Sequence, residues 1–379
     1  MRKKILLPAL AATTFLAAPL AQADNAGDTT FGGLLFTDLT SISSTQDAPV
    51  VPTGAKAPAK TGDVDPNGFG LDVKRAYFIV NHTFDDVWSA NLTTDFNFPK
   101  LSVSGKDSTG ATVSSSGNAP ETQVFVKNVY LQGHFNDWAT VRVGAASMPW
   151  TSYVEGVYGY RFVENTMTDR SGFANTADWG VNLNGKGDLV NYSVSLVNGG
   201  GYKNPSRSKG MDVEGRVGIT PLDGRLIVGL GLYTGKRGLD TEATPAVNTA
   251  SRQDLLLAWK ADGLTVGVEW FSADKWNDVL TPSGTATTKS DGTSAFASFD
   301  FPGTDFSVFG RYDDVKPNKD TDPQLEDKYF NAGVAWKTSK NVTWALAYKD
   351  DKVTDNLKYK LTSDALKTQE FGIWAQVKF

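Results

Sequence analysis

The chain of 379 residues contains no cysteine, so neither disulfide bonds nor thiolate metal ligands can stabilise a small fold. Only two histidines occur, His82 and His134, and each directly precedes a predicted tight turn. Beyond residue 23 no apolar run reaches the roughly 18 residues that a transmembrane helix needs. The net charge of −5 makes nucleic-acid binding a poor hypothesis. We therefore expect no cofactor, no metal site and no helical membrane domain.

The N-terminal segment has the features of a secretory signal. "MRKK" is a basic region, residues 5–16 are apolar, and "AQA" at 21–23 has the small-x-small form of a signal-peptidase site. A membrane anchor is the alternative, but the apolar stretch is short and no stop-transfer pattern follows it. We predict that residues 1–23 are a cleaved signal peptide and that residues 24–379 form one exported domain.

What the chain does contain is a pattern of period two. In "VWSANLTTDFNF" (87–98), Trp88, Leu92 and Phe96 fall on one side of an extended chain, while Asn91 and Asp95 fall on the other. Similar segments recur along the chain, and their connections are alternately short and long. A soluble sandwich or propeller is the alternative, but neither requires this strict alternation.

The number of alternating segments is 16, and both ends of the series lie on the short-turn side. An even number of antiparallel strands with short turns at one rim and long loops at the other is typical of outer-membrane barrels. We predict an all-β fold, a 16-stranded antiparallel transmembrane β-barrel with short periplasmic turns, long extracellular loops and an inward-folded third loop. The predicted location is the outer membrane, with its lipid as one partner.

The cost of exposing Arg or Lys to lipid, ~2–4 kcal/mol at mid-membrane, assigns side-chain directions. Arg142 lies between Val141 and Val143, so the arginine is expected to face the lumen. The same reasoning predicts a set of basic residues that line the pore: Arg75, Arg142, Arg216, Arg311 and Lys349. Lys74 is adjacent to Arg75 and is expected to point outward. The alternative is that these charges only solvate a water-filled interior.

The third long connection, residues 148–177, is the predicted constriction loop. Bulky and charged side chains suit a narrow filter that limits the size and charge of solutes. The residues expected to form it are Tyr153, Glu155, Tyr158, Tyr160, Arg161, Asp169 and Arg170. An external loop that packs against a neighbouring subunit is the alternative.

Three stretches together resemble the phosphate-selective porin O and P family of bacterial outer-membrane porins. They are "GFGLDVKRAYFIVNHTFDDVWSANLTTDF", "VFVKNVYLQGHFNDWATVRVGAASMPW" and "TADWGVNLNGKG", and the likeness is best over residues 68–235. The resemblance implies a trimeric 16-stranded channel that passes phosphate or polyphosphate along basic residues of the lumen. It points to Arg75, Arg142, Arg161 and Arg216. The chain departs from this pattern in its inward acids, which are Asp95, Asp212, Glu214 and Glu269.

The sequence thus predicts a non-enzymatic porin for passive diffusion of small hydrophilic solutes, with a preference for inorganic anions such as phosphate. It leaves three alternatives open: a general or cation-preferring porin, an outer-membrane barrel enzyme and a structural barrel. An enzyme of this class usually needs a histidine beside the long loops, whereas His82 and His134 lie at the opposite rim. We predict no catalytic residues and a homotrimer.

Overall fold

The computed structural model describes residues 27–46, 62–63, 67–97, 100–106, 112–118, 123–282, 285, 287–354 and 365–379. The predicted signal peptide, residues 1–23, lies outside the described residues. In the part of the chain that is described, no helix is long and apolar enough to cross a membrane.

Sixteen antiparallel strands form one closed wall, which confirms the predicted fold class and strand number. The first half of the wall consists of β1 (Thr29–Gln46), β3 (Gly68–Thr83), β4 (Trp88–Asn97), β7 (Gln123–Asn136), β8 (Ala139–Ser147), β9 (Ala177–Lys186), β10 (Val190–Val197) and β11 (Asp212–Ile219). The second half consists of β12 (Leu226–Gly235), β13 (Ala250–Ala261), β14 (Leu264–Asp274), β15 (Lys289–Asp300), β16 (Phe306–Lys316), β17 (Glu326–Lys337), β18 (Val342–Thr354) and β19 (Ala365–Lys378).

Three short strands lie outside this wall. The two-residue β2 (Gly62–Asp63) pairs with the end of β1, and β5 (Lys100–Lys106) pairs with β6 (Thr112–Asn118) within a long loop. The wall closes because β1 pairs with both β3 and β19. At the closure the Gly33 N–H donates to the Phe379 carbonyl at 2.7 Å, and the Phe379 N–H donates to the Gly33 carbonyl at 3.1 Å. Each of the sixteen described wall strands is therefore paired on both sides, as a sheet in lipid requires.

The two faces of the wall differ as the period-two pattern requires. On β12 the leucines Leu230 and Leu232 are exposed on the outside, whereas Gly229, Gly231 and Tyr233 are buried on the inside. An outward apolar row and an inward small or polar row are what a barrel in lipid needs. The alternation therefore identifies the lumen face of each strand.

A β-bulge in β3 changes which side chains face the lumen. The pairing with β1 shifts by one residue at Lys74. The outward apolar residues have odd numbers before this point, as at Leu71, and even numbers after it, as at Phe78. Lys74 and Arg75 therefore both face the interior, where the Lys74 Nζ lies 3.2 Å from a carboxylate oxygen of the buried Asp38. The expectation that Lys74 points outward is wrong, because strict alternation holds only where no extra residue interrupts the ladder.

A second bulge, in β7, has the same effect. The register against β4 shifts between Asn128 and Val126, so Lys127 is the extra residue. Its side chain is buried inside the barrel, and its Nζ donates a hydrogen bond of 2.5 Å to the Tyr77 hydroxyl on β3. Each bulge thus adds one lysine to the same part of the lumen.

Candidate functional site: a charged constriction inside the barrel

Residues 148–176, called loop 3 below, fold into the barrel. Helix α1 (Pro149–Tyr158) has proline in its first turn and ends at Gly159, whose φ of 81° is the left-handed conformation that glycine adopts without strain. A short helix, α2 (Met167–Arg170), follows. Each of the three clusters of buried apolar side chains in the described residues includes side chains of loop 3. Loop 3 therefore fills part of the lumen.

The start of α1 is bound to the wall through Trp150. Its backbone N–H donates to a Glu214 carboxylate oxygen on β11 at 2.9 Å, and its indole N–H donates to Glu269 on β14 at 2.9 Å. The Thr168 hydroxyl also donates to Glu269, at 3.0 Å. A carboxylate at a helix N-terminus is stabilised by the unpaired N–H groups and by the helix dipole. The inward acids Glu214 and Glu269 therefore hold loop 3.

Glycines on the lumen face of β12 make room for the aromatic side chains of α1. A Cβ at Gly229 would lie 2.6 Å from the Tyr153 ring, and one at Gly231 would lie 2.7 Å from the Trp150 ring. Trp150 is fully buried and holds two hydrogen bonds to the wall, so it has little freedom to move away. Glycine is therefore needed at these two positions of β12 for the aromatic side chains of loop 3 to pack against the wall.

We expect Gly231→Val to displace Trp150 and loosen α1. The added side chain overpacks a tight contact, which costs about 1–3 kcal/mol. Limited proteolysis of the folded barrel should then cut within loop 3 faster than in the wild type. Leu232→Val is the matched control, because Leu232 is 64% exposed on the outer face. Equal cleavage rates for wild type and Gly231→Val would contradict this packing.

The far end of loop 3 is held by Arg170. Its guanidinium lies 3.3 Å from Asp313 on β16, 2.9 Å from Asp327 on β17 and 3.4 Å from Asp351 on β18, measured between N and O atoms. The ring of Tyr329 also lies 4.5 Å from the guanidinium carbon. A single cation that pairs with three strands anchors α2 to the wall.

Arg311 faces the lumen but is covered by loop 3. It pairs with Asp313 at 3.0 Å, and the Tyr158 ring of α1 lies 4.8 Å from its guanidinium carbon. Arg311 is only 3% exposed and Tyr158 is equally buried. The prediction that Arg311 lines the open pore is therefore wrong, because loop 3 packs directly over it.

Two other tyrosines predicted for the constriction also pack on the wall. Arg216 on β11 stacks on Tyr153, with 4.1 Å from its guanidinium carbon to the ring centre, and it pairs with the Asn191 side chain. Tyr160 stacks on Phe309 with ring centres 4.1 Å apart. Both tyrosines thus anchor loop 3, and Arg216 also donates to the Pro149 carbonyl at 3.2 Å.

Arg161 reaches from loop 3 to the facing wall and forms the centre of the constriction. It pairs with Glu155 of α1, and its Nη1 donates to the Tyr77 hydroxyl on β3 at 3.1 Å. The same hydroxyl accepts from Lys127. Among the described residues the Arg161 Nη2 is buried and has no hydrogen-bond partner. We call Tyr77, Lys127, Glu155, Arg161 and Asp169 the constriction cluster.

Charge compensation within this part of the lumen is incomplete. Arg75 lies 3.6 Å from the buried Asp95, whereas Lys127 and Arg142 form no ion pair with a described carboxylate. Arg142 donates to Gln132 at 2.8 Å and stacks on Tyr130. Two cations therefore remain without a carboxylate counterpart.

Two acids of loop 3, Asp169 and Glu164, have pKa values that are shifted in opposite directions. Burial raises the pKa of Asp169, although Arg161 and Arg75 oppose the shift. Burial alone also raises the pKa of Glu164, but Lys349 and other nearby cations outweigh it and lower that pKa to about 2. Glu164 is therefore charged throughout the physiological pH range.

A cavity of about 300 Å³ lies beside the constriction cluster. It is called the charged cavity below, and its charged lining consists of Lys74, Arg75, Arg161, Glu164, Lys349 and Glu370. Lys349 bridges the two glutamates, at 3.2 Å from Glu164 and 3.0 Å from Glu370. The charge of Lys349 is thus compensated by two carboxylates.

Sequence reasoning missed Lys127 and the inward direction of Lys74. The signal was present, because the outward apolar positions switch from even to odd numbers between Val126 and Val129. In β3 the outward apolar positions switch in the opposite sense, from odd to even numbers. Two adjacent polar residues at such a switch mark a bulge, and both can face the lumen.

The described residues include no group of three or more histidine, aspartate or glutamate side chains arranged to hold a metal ion. His82 and His134 form hydrogen bonds with Thr29 and Thr140, respectively, near the short turns. Both histidines lie at the rim of the barrel, apart from the constriction cluster.

No protein-family model matches the chain, and no curated protein matches its sequence. Solved structures do match its fold. The outer membrane channel DcaP of Acinetobacter baumannii matches with a TM-score of 0.60 at 13% identity, covering 94% of this chain and 99% of that one. The outer-membrane expressed OmpT of Vibrio cholerae matches with a TM-score of 0.59 at 14% identity, with the same coverage.

An anion-selective porin from Comamonas acidovorans matches with a TM-score of 0.57 at 13% identity, covering 93% of this chain and all of that one. The identities are too low to carry function over, but the whole length of each barrel is covered. The chain has the fold of the 16-stranded outer-membrane porins.

Proposed function

We propose that this protein is an outer-membrane porin through which small hydrophilic solutes diffuse passively. The observation that carries the proposal is a closed barrel whose interior holds a charged constriction formed by a folded-in loop. The proposal includes a non-enzymatic role, export through a cleaved signal peptide (residues 1–23) and assembly as a homotrimer in outer-membrane lipid. The family resemblance supports the trimer.

The finer proposal is a moderate preference for anions, with phosphate or polyphosphate as candidate solutes. Lys127 and Arg142 support it, because neither cation has a carboxylate partner among the described residues. Most other inward cations are compensated: Arg75 by Asp95, Arg161 by Glu155, and Lys349 by two glutamates. In a narrow passage uncompensated charge is screened less than on an open surface, so two cations are enough to bias permeation. A general porin remains the second candidate.

The test is reconstitution of the purified protein in planar bilayers with a KCl gradient. We expect stable single-channel steps and a reversal potential of the sign that anion permeation produces. The absence of any conductance from folded, heat-modifiable protein would refute the porin proposal and favour a structural barrel. Channels with a cation-type reversal potential would refute only the anion preference.

A further inference from the structure

The charged cavity is lined by charges of both signs. Lys74, Arg75, Lys349 and Glu370 belong to the barrel wall, whereas Arg161 and Glu164 belong to loop 3. The side chains are accessible to different extents: 40% for Lys74, 23% for Arg75 and 25% for Glu164. A solute in the cavity therefore meets basic side chains and carboxylates within one small volume.

The polar atoms around this cavity are only partly satisfied. The Arg161 Nη2 is a buried donor without a hydrogen-bond partner among the described residues. Asp38 does not line the cavity; its carboxylate oxygens are buried and accept no hydrogen bond within the described residues, although the Lys74 Nζ lies 3.2 Å from one of them. Buried polar groups without partners cost free energy, so a solute or water that supplies an acceptor to the Arg161 side chain is favoured here.

A solute with a single charge is repelled by the side chains of like charge in the cavity. An anion in the cavity meets the carboxylates of Glu164 and Glu370, and a cation that approaches Glu164 meets four basic side chains, those of Lys74, Arg75, Arg161 and Lys349. A solute that carries a carboxylate and an ammonium group in one small molecule is attracted through both of its charges. The volume of about 300 Å³ is at the lower end of the range for small-molecule sites.

We propose that the charged cavity is a binding site for small zwitterions of the α-amino-acid type. The carboxylate of the solute pairs with Lys74, Arg75 and Arg161, and its ammonium group donates to Glu164. This proposal rests on the porin function proposed above and names a solute class for the same lumen. It is compatible with an anion-preferring current, because the uncompensated cations Lys127 and Arg142 do not line this cavity.

The experiment compares alanine with two analogues, each of which lacks one of its charged groups, as blockers of KCl current through single channels. Alanine carries both charges, propionate carries only the carboxylate, and ethylammonium carries only the ammonium group. We expect alanine to block at a concentration about threefold to tenfold lower than either of the others, since each additional charged contact contributes on the order of 1 kcal/mol. Equal block by alanine and propionate would overturn the proposal.

Two variants test the group that binds the ammonium and a group that binds the carboxylate separately. Glu164→Gln should weaken block by alanine and strengthen block by propionate, a pair of opposite shifts that simple loosening of loop 3 does not produce. Lys74→Gln should weaken both, and it leaves the described ion pairs of loop 3 intact, because the carboxylates that pair with Lys74 are those of Asp38 and Asp72. Glu242→Gln, at an exposed acid paired with Lys209, is the control.

The outcomes distinguish this proposal from the porin function. A protein that forms no channels refutes the function itself. A protein that conducts, but in which Glu164→Gln shifts alanine and propionate in the same direction, refutes the zwitterion site and leaves the porin proposal unaffected.

Discussion

Replacement of both Lys127 and Arg142 by glutamine is expected to move the reversal potential in a KCl gradient toward cation selectivity. Both are lumen cations that form no ion pair with a described carboxylate, and neither is covered by the tyrosines of loop 3 as Arg216 is. A unit charge about 7 Å from a permeating ion contributes about 0.6–2.4 kcal/mol for effective dielectric constants between 80 and 20. The anion-to-cation permeability ratio should therefore fall about threefold or more for each charge removed.

The matched control removes two lysines from exposed loops. Lys209 pairs with Glu242 and Lys319 pairs with Asp291, both outside the constriction. The Lys209→Gln, Lys319→Gln double variant has the same net charge as the test variant, so total charge alone cannot explain a difference between them. If the two double variants have the same reversal potential, Lys127 and Arg142 only solvate the lumen and the protein is a general porin.

Arg170→Gln is expected to release the α2 end of loop 3. The substitution leaves Asp313, Asp327 and Asp351 without the cation that all three share. Asp313 keeps its pair with Arg311 and Asp351 is 37% exposed, so the main loss is at Asp327, and the expected cost lies below the about 3–5 kcal/mol of a fully buried ion pair. We expect the lost free energy to weaken the attachment of loop 3 and not the barrel, because the strands are held together by their own backbone pairing. Single-channel conductance should become noisy, and loop 3 should become sensitive to protease.

Lys328→Gln serves as the control for this effect. Lys328 also pairs with a carboxylate, that of Glu326, but its side chain is 42% exposed. Exposed pairs of this kind contribute about 0–1 kcal/mol. A quiet, protease-resistant channel in Arg170→Gln would show that Trp150 and the tyrosine contacts alone hold the loop.

The fold could be predicted from the sequence because a lipid-facing barrel repeats one simple rule. Outward residues must be apolar and inward residues need not be, so segments such as β12, with its outward Leu230 and Leu232, can be recognised individually. The alternation of short and long connections then supplies the strand number. Neither argument depends on contacts between residues distant in sequence.

The candidate site was less predictable, because exposure inside the barrel depends on where loop 3 lies. Arg75, Arg142 and Arg311 all face inward, but Arg311 is covered by Tyr158 while Arg142 stays half-buried. The free-energy cost of exposing a charge to lipid shows which residues face the lumen. It does not show which of these inward residues contact solute.

The sequence by itself determined the barrel class, the strand number and the face of most charged residues, because these follow from local alternation and from the cost of charge in lipid. Tertiary structure alone decided the role of each inward charge. Arg170 anchors α2, Arg161 bridges loop 3 and β3, and Lys127 enters the constriction through a bulge. The physical reason is that ion pairing and burial depend on distances between strands and loop 3, which the sequence pattern of a single strand does not specify.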